Sequence, residues 1–400
     1  MTTRRILLAN ALASAALSSW PGLSLAASTP AAGANPRRFV FLILRGGMDG
    51  LIAAPAIGDP AFAEARGGLG VFNGAPLELD STFALNPLLP QLHAMYGRGE
   101  MAVLQATGLP YRERSHFDAQ QVLESGGTRP HELANGWLGR ALASSTGTPL
   151  RAVALETAVP LVLRGPGEVD TWAPSALPDP SPDLVARLEA MYCNDPALAQ
   201  ALARARGLRE DPGMGANPQD MGGAAGNYGR RAAVALATKA AEFLQRGSQV
   251  AVLEMGGWDS HVNAAQPNGA LSNNLRTLDA TLAALREGLL AGNAWSQTVV
   301  LVATEFGREV AANGTQGSDH GTGGAAFVLG GAVRGGRVVS DWPGLAKKDR
   351  YEGRDLRVTT DLRAALRNVL GDHLRIARAA LDSSVLPGSA AIKPLDLLRA

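Results

Sequence analysis

Four apolar runs of strand length set the tightest limit on how this chain can fold. Apolar runs of about four to eight residues without polar interruption are typical of strands covered on both faces, as in a parallel sheet between two layers of helices. The runs are Arg38–Leu44, Met101–Thr107, Gln249–Glu254 and Thr298–Thr304, with Ala325–Leu329 as a shorter fifth. The chain is therefore expected to contain a buried, mostly parallel sheet.

Helical periodicity appears between and beyond the apolar runs. The predicted helices are Pro87–Gly97, Phe117–Ser125, Ala134–Ala143, Asp183–Leu208, Arg230–Gln245, Leu271–Leu290 and Thr360–Leu370. The Asn-Asp-Pro sequence at 194–196 supplies a helix cap and a first-turn proline, so the segment 183–208 should form two helices. The Gly-rich region Glu210–Gly229 is predicted to be a long surface loop. Strands alternating with helices predict an α/β fold, a single three-layer α/β/α sandwich.

The first residues have the composition of an export signal. Arg4 and Arg5 stand directly before a mildly apolar, Ala-rich stretch at 6–18. Ser24 and Ala26 then occupy the −3 and −1 positions of a small-residue cleavage site. Paired arginines beside an apolar stretch of low hydrophobicity favour the twin-arginine translocase, followed by signal peptidase. An ordinary secretory signal is the alternative.

These features divide the chain into a leader at 1–26, a disordered tether at 27–36 and one domain at 37–400. The apolar fraction of 46% can bury a large core. Cys193 is the single cysteine, which excludes an internal disulfide and a thiolate metal cluster. With 37 basic and 36 acidic residues, no basic face for nucleic acid is expected. No apolar run after the leader reaches the roughly eighteen residues of a membrane span.

Polar clusters lie at the ends of the five predicted strands. Because ligands of open α/β sheets bind beyond the carboxyl ends of the strands, these clusters are expected to meet at one rim of the sheet. The clusters are RGGMDGL at 45–51, SHFDAQ at 115–120, GGWDSH at 256–261, TEFGRE at 304–309 and SDHGTGG at 318–324. The sequence thus predicts one site assembled from five segments.

The residue types in these clusters indicate a metal or anion site. Carboxylates together with imidazoles suit Zn²⁺, Mn²⁺, Mg²⁺ or Ca²⁺, and imidazole nitrogens favour Zn²⁺ or Mn²⁺. A serine beside such an ion can be activated as a nucleophile. The candidate metal ligands are Asp49, Asp259, His261, Glu305 and His320, the candidate nucleophile is Ser115, and the candidate contacts to an anionic substrate are Arg45, His116 and Arg308.

Most of these candidates also have a purely structural interpretation. Asp49 would cap the turn made by its neighbouring glycines, and Ser115 would be a helix N-cap. The remaining structural alternatives are a buried Glu305–Arg308 ion pair and loop hydrogen bonds from Asp259 and His261. The residues alone leave these alternatives open.

The five motifs resemble the bacterial family called domain of unknown function 1501, exported proteins often labelled sulfatase-like, over nearly all of residues 38–375. The resemblance implies the alkaline phosphatase superfamily fold, in which Asp and His at strand ends bind one or two metal ions beside a Ser or Thr nucleophile. It implies Ser115 as the nucleophile. The implied ligands are Asp259, His261 and His320 for a first ion, and Asp49 and Glu305 for a second.

The chain departs from the superfamily pattern at Phe306, which occupies the place of a histidine in the second metal site. The sequence therefore predicts one retained ion, with Zn²⁺ favoured, and a second that binds weakly through oxygen ligands. The expected function is metal-dependent hydrolysis of a small phosphate or sulfate ester. The alternative is an exported protein without catalytic activity that keeps the fold to bind a ligand or partner.

Overall fold

The longest strands of the chain lie side by side in one sheet. This computed structural model describes residues 36–145, 150–174, 180–210 and 225–399, which fall within one compact unit, Pro36–Ala400. Its strands are β1 Arg38–Leu44, β2 Leu77–Glu78, β3 Ala84–Leu85, β4 Met101–Gly108, β5 Ala152–Ala154, β6 Val169–Thr171, β7 Val250–Met255, β8 Thr298–Thr304, β9 Gly324–Leu329, β10 Arg337–Val339 and β11 Thr360–Asp361. β2 and β3 form a small antiparallel pair outside the main sheet.

The main sheet has the strand order β10-β4-β9-β8-β1-β7-β5-β6, and β11 also pairs with β4. β1 pairs in parallel with β7 on one side and β8 on the other. β9 runs antiparallel to both β4 and β8. The carboxyl ends of β1, β4, β7 and β8 and the beginning of β9 therefore share one edge of the sheet. This is the edge at which the sequence placed the polar clusters.

Helices connect most of the strands of the main sheet. They are α1 Gly50–Ala53, α2 Phe62–Arg66, α3 Pro90–Gly97, α4 His116–Ser125, α5 Trp137–Ala143, α6 Pro182–Tyr192, α7 Pro196–Glu210, α8 Ala225–Gln245, α9 Ala270–Ala291, α10 Leu362–Arg367 and α11 Arg378–Ala380. α10 continues as a π-helix over Asn368–His373, and α11 continues over Leu381–Val385. No helix in the described ranges is long and apolar enough to cross a bilayer.

The two faces of the sheet pack against different helices. Alternate residues of β1 point to opposite faces, because side chains along a strand alternate. Val40, Leu42 and Leu44 pack in a core with α3, α8 and α9. Phe39 and Phe41 pack in a second core with α4, α5 and α10. The predicted three-layer α/β fold with a mostly parallel sheet is confirmed.

Some predicted boundaries differ from the structure. The helix α8 begins at Ala225, so the last residues of the loop predicted at Glu210–Gly229 are helical, and 211–224 lie outside the described residues. The short strands β5, β6, β10 and β11 were not predicted, because two or three residues carry no recognisable period. The predicted leader, and the tether up to residue 35, also lie outside the described residues.

Candidate metal centre

A glycine directly after β1 allows the loops at the strand ends to touch. Gly46 has a φ of +120°, and a Cβ atom at this position would lie 2.6 Å from the backbone nitrogen of Asp259. Only glycine tolerates this backbone angle together with so close an approach. The Gly46 N–H group also donates to Oε1 of Glu305 at 2.8 Å. The turn after β1 is thereby joined to the loops after β7 and β8.

His116, Asp259 and His320 form a cluster in which one ligand atom of each residue lies within 4.8 Å of the others. Nε2 of His116 lies 3.0 Å from Nε2 of His320 and 3.5 Å from Oδ2 of Asp259. Nε2 of His320 lies 3.3 Å from Oδ1 of the same aspartate. The three side chains are 22%, 44% and 28% exposed, in that order, so the cluster opens to solvent.

His261 adds a third imidazole beside this cluster. Its Nε2 atom lies 3.0 Å from Nε2 of His320 and 2.9 Å from Oδ1 of Asp259. His261 comes from the loop after β7, His320 from the segment before β9, and His116 from the first turn of α4. Three segments that are distant in sequence therefore deliver three ring nitrogens and one carboxylate to the same place.

The other ring nitrogen of each histidine, Nδ1, faces a group that accepts but does not donate a hydrogen bond. The pairs are His116 with Glu305 Oε1 at 2.8 Å, His261 with Asp319 Oδ1 at 3.0 Å, and His320 with the carbonyl oxygen of Arg114 at 3.0 Å. Each Nδ1 atom must carry the hydrogen, which leaves the lone pair of a neutral ring on Nε2. These lone pairs and the Asp259 carboxylate repel one another unless a cation lies among them.

The charges around the cluster shift the pKa values of His320 and His116 in opposite directions. Burial lowers the pKa of His320, and the charges of His116 and Arg308 lower it further, so its ring is neutral near pH 7. The hydrogen bond to Glu305 raises the pKa of His116 by more than burial lowers it. Of these two rings, His116 is therefore the one that takes up a proton more readily when no cation is bound.

Arg308 holds the aspartate of the cluster in place. Its side chain has no exposed surface, and its guanidinium donates to the carbonyls of Gly46, Gly47 and Ser318 at 2.7–3.0 Å and to Asp259. Burial is the largest single influence and raises the pKa of Asp259, but the hydrogen bond and charge of Arg308 and the charges of His261 and His116 together lower it by more, so the carboxylate stays ionised. A buried guanidinium with these partners does not fit the substrate contact expected of Arg308 and instead positions Asp259.

The donor atoms at this place suit a zinc ion. Zn²⁺ binds imidazole nitrogens and carboxylate oxygens at about 2.0–2.2 Å, so donors around one ion lie roughly 3.0–3.5 Å apart. Nε2 of His320 lies 3.0 Å, 3.0 Å and 3.3 Å from its neighbours on His116, His261 and Asp259. The imidazole-rich set also favours Zn²⁺ over Mg²⁺ or Ca²⁺, which prefer oxygen ligands. His116, Asp259 and His320, whose donor atoms all lie within 4.8 Å of one another, therefore suit a single divalent ion, and His261 lies beside them.

Asp49 lies in the turn after β1, as expected, but its carboxylate is committed elsewhere. Oδ1 caps α1 by accepting from the N–H groups of Leu51 at 3.0 Å and Ile52 at 3.1 Å. Oδ2 accepts from Nη2 of Arg66 at 2.7 Å and from the hydroxyl of Ser318 at 3.3 Å. The structure thus gives Asp49 the contacts of a helix cap and a buried ion pair, which differ from those expected of a metal ligand.

Glu305 lies behind the cluster. Oε1 accepts from the N–H group of Gly46, from Nδ1 of His116 at 2.8 Å and from Nε2 of Gln120 at 3.1 Å. Oε2 accepts from the hydroxyl of Thr304 at 3.0 Å. Burial raises the pKa of Glu305, but these hydrogen bonds lower it by more, so the carboxylate is ionised. Both carboxylates expected to hold a second ion, Asp49 and Glu305, are thus engaged by hydrogen bonds within the protein.

The role of His116 was not evident from the sequence. Phe306, which stands where the resemblance places an imidazole, packs against the His116 ring with 4.7 Å between ring centroids. An imidazole from α4 therefore lies beside Phe306 at the rim. The motif SHFDAQ after β4 placed His116 at the rim as a substrate contact, but linear spacing does not show that α4 begins beside Asp259 and His320.

Two further predicted residues differ in how their polar groups are used. Ser115 is the N-cap residue of α4 and directly precedes His116, yet its hydroxyl makes no capping hydrogen bond. Arg45 binds both carboxylate oxygens of Glu254 at 2.8 Å and 2.5 Å and Oε1 of Glu124 at 2.7 Å. The charge of Arg45 is thus balanced by two carboxylates of the protein itself. The Ser115 hydroxyl, in contrast, does not cap α4.

Comparison with known sequences gives one family and no curated relative. The sequence model of a family described as “Protein of unknown function (DUF1501)” matches residues 96–385, more than half of the chain. The search of curated proteins finds no match.

Several solved structures are similar in fold. The PsFucS1 sulfatase from Pseudoalteromonas sp. has 12% identity over 90% of this chain and 71% of that chain, with a TM-score of 0.38. A protein in the alkaline phosphatase superfamily from Vibrio parahaemolyticus has 11% identity over 84% and 67%, with a TM-score of 0.39. The C-terminal periplasmic domain of EcEptC from Escherichia coli, in complex with Zn, has 11% identity over 90% of this chain and 89% of that chain, with a TM-score of 0.39. At identities and scores this low, nothing about the reaction follows from the likeness.

Proposed function

The chain belongs to the DUF1501 family, whose function is unknown, and we propose that it is an exported hydrolase that uses a divalent metal ion to cleave an ester of phosphate or sulfate. The observation that carries the proposal is the convergence of Nε2 of His116, His261 and His320 on the Asp259 carboxylate. Metal-binding histidines almost always donate their other ring N–H to a carboxylate or a carbonyl, which fixes the ring and makes it a stronger ligand. All three rings here have such a partner.

The chemistry of the site suits an anionic ester. A Zn²⁺ ion held by these residues would act as a Lewis acid toward a phosphate or sulfate oxygen and neutralise part of its charge. The start of α4 offers backbone N–H groups to the same anion. Ser115, at the N-cap position beside His116, is the proposed nucleophile, and its hydroxyl is not used as a helix cap. The chain's own residues would thus orient the ester and supply the attacking oxygen.

Metal content and ester hydrolysis, measured together, test the proposal. Purified protein should retain about one ion per chain through dialysis, and His320→Ala should release it because Nε2 of His320 lies within 3.3 Å of a donor atom on each of the other three residues. Turnover of aryl phosphate or aryl sulfate esters should be lost with the ion and restored by adding Zn²⁺ to the wild type. His93→Ala is the matched control, since His93 lies in α3 and bonds to the carbonyl of Glu78.

The opposite result would favour the second function. Wild-type protein that binds no ion after addition of Zn²⁺, Mn²⁺, Mg²⁺ and Ca²⁺ in turn would exclude the hydrolase. The chain would then be an exported protein that binds a ligand or partner without catalysis. Retained metal without turnover of any ester would support a metal site but not the proposed reaction.

A further inference from the structure

The three partners of the histidine Nδ1 atoms differ in charge and burial. His320 donates to a neutral backbone carbonyl. His261 donates to Asp319, a carboxylate that is 48% exposed. His116 donates to Glu305, whose side chain has no exposed surface. A charge–dipole interaction is stronger where water is excluded, so the bond from His116 to Glu305 is the strongest of the three.

Glu305 is held in place by groups other than His116. The Gly46 N–H group, Gln120 and the Thr304 hydroxyl all donate to its two oxygens at 2.8–3.1 Å. Two of these donors, the backbone N–H group and the strand residue Thr304, belong to the rigid edge of the sheet. The position of the carboxylate therefore does not depend on His116 alone.

The next residue along the chain fixes the plane of the same ring. Phe306 is buried, and its ring lies 4.7 Å from that of His116 at an interplanar angle of 37°. Its ring also lies 5.1 Å from that of His320. The His116 ring thus has a hydrogen-bond acceptor at Nδ1, which Glu305 provides, and an apolar surface against its face, which the adjacent Phe306 provides.

We infer that Glu305 is a positioning residue, which presents Nε2 of His116 to the metal ion and is not itself a metal ligand. This inference rests on the proposed metal site. It follows that the site holds a single ion, because the carboxylate that would bind a second one is used to orient His116. Phe306 completes the arrangement, since it fills the space that an imidazole at this position would occupy.

A pair of carboxylate-to-amide variants separates positioning from ligation. Glu305→Gln keeps an acceptor for Nδ1 and removes the charge, so the affinity for Zn²⁺ should fall about 10–100-fold while the stoichiometry stays at one ion per chain. Asp319→Asn makes the same change on His261, where solvent already screens the charge, and should weaken binding less. Zn²⁺ affinity and stoichiometry would be measured by competition with a chromogenic chelator.

A second readout does not depend on metal. In metal-free wild-type protein, the Nδ1 proton of His116 should give a strongly deshielded NMR signal, because its acceptor is a buried carboxylate. In Glu305→Gln the signal should move upfield. Glu305→Asp, which keeps the charge but shortens the side chain by one methylene, should weaken Zn²⁺ binding similarly and replaces the first variant if that one does not fold.

The possible outcomes distinguish the inference from the function on which it rests. Loss of one of two bound ions in Glu305→Gln, or a larger effect of Asp319→Asn, would overturn the positioning role. Wild-type protein that binds no Zn²⁺ would instead refute the proposed function. In that case an unchanged His116 proton signal between wild type and Glu305→Gln would overturn the positioning role as well.

Discussion

Asp49 and Arg66 form an ion pair from which solvent is excluded, with 2.7 Å between Oδ2 and Nη2 and side-chain exposures of 2% and 0%. The Arg66 guanidinium also donates to the carbonyls of Glu309 and Val310 at 3.2 Å and 2.7 Å. It therefore joins α2 to the segment that follows β8. Breaking such a pair is costly, because the surviving charge stays buried without a counter-charge.

We expect Asp49→Asn to lower the free energy of unfolding by about 3–5 kcal/mol and to leave the metal content unchanged. Asparagine is as good a helix N-cap as aspartate, so the loss isolates the ion pair. Denaturant unfolding and elemental analysis of the same preparations measure both quantities. Asp361→Asn is the control, because Asp361 also caps a helix and pairs with an arginine, Arg363, but is 24% exposed. If Asp49→Asn has normal stability but binds no metal, Asp49 is a metal ligand.

Ser115→Ala should abolish ester turnover with little change in stability. The hydroxyl of Ser115 makes no capping bond, so its removal should cost less than the roughly 1 kcal/mol typical of a lost cap. Ser181→Ala provides the matched comparison, because Oγ of Ser181 accepts from the N–H group of Leu184 and caps α6. That variant should lose stability and keep activity. Normal turnover in Ser115→Ala would exclude Ser115 as the nucleophile.

Replacing Arg4 and Arg5 together with lysine should leave the precursor in the cytoplasm, because the twin-arginine translocase recognises the arginine pair. Cell fractionation and immunoblotting against the mature domain would measure the distribution. A variant with both arginines kept and a conservative change inside the apolar stretch at 6–18 serves as the control. Normal export of the lysine variant would favour the ordinary secretory route.

The central sheet was predictable because its strands are buried on both faces. Such strands are mostly apolar, as in β1, β7 and β8, and an apolar run of strand length has few structural alternatives. The short strands β5, β6 and β10 have three residues each, and nothing in so short a segment distinguishes a strand from a loop. Their pairing depends on neighbours that are distant in sequence.

The edge of the sheet at which these residues meet could be predicted from the sequence, whereas their contacts could not. Topology alone brings Asp259, His261 and His320 to one edge of the sheet. Whether a carboxylate there binds a metal, caps a helix or orients an imidazole depends on what lies within about 3 Å, and spacing along the chain does not encode that distance. Asp49 and Glu305 are engaged by donors from three different segments, so their contacts are visible only in the folded chain.

The buried histidine outside the site should make the protein sensitive to acid. His373 is 4% exposed, and its Nε2 atom bonds to the carbonyl of Arg38 at 2.9 Å, which links the π-helix after α10 to β1. Burial lowers the pKa of His373 from an ordinary 6.5 to about 4. Between pH 6.5 and 4 the unfolded chain takes up a proton that the folded chain does not, so stability falls as the pH falls through this window.

Because of His373, the free energy of unfolding should fall by up to roughly 3 kcal/mol between pH 6.5 and 4. His373→Gln keeps a donor for the Arg38 carbonyl without titrating, so its stability should not show this loss. Asp279 gives a comparison of opposite sign, because burial raises its pKa to about 6 and the folded chain then binds the extra proton. Relative to Asp279→Asn, the wild type should therefore gain stability as the pH falls from 6 to 4. Urea unfolding of the three proteins at several pH values measures both slopes, and parallel curves for wild type and His373→Gln would show that His373 is not the acid-sensitive group.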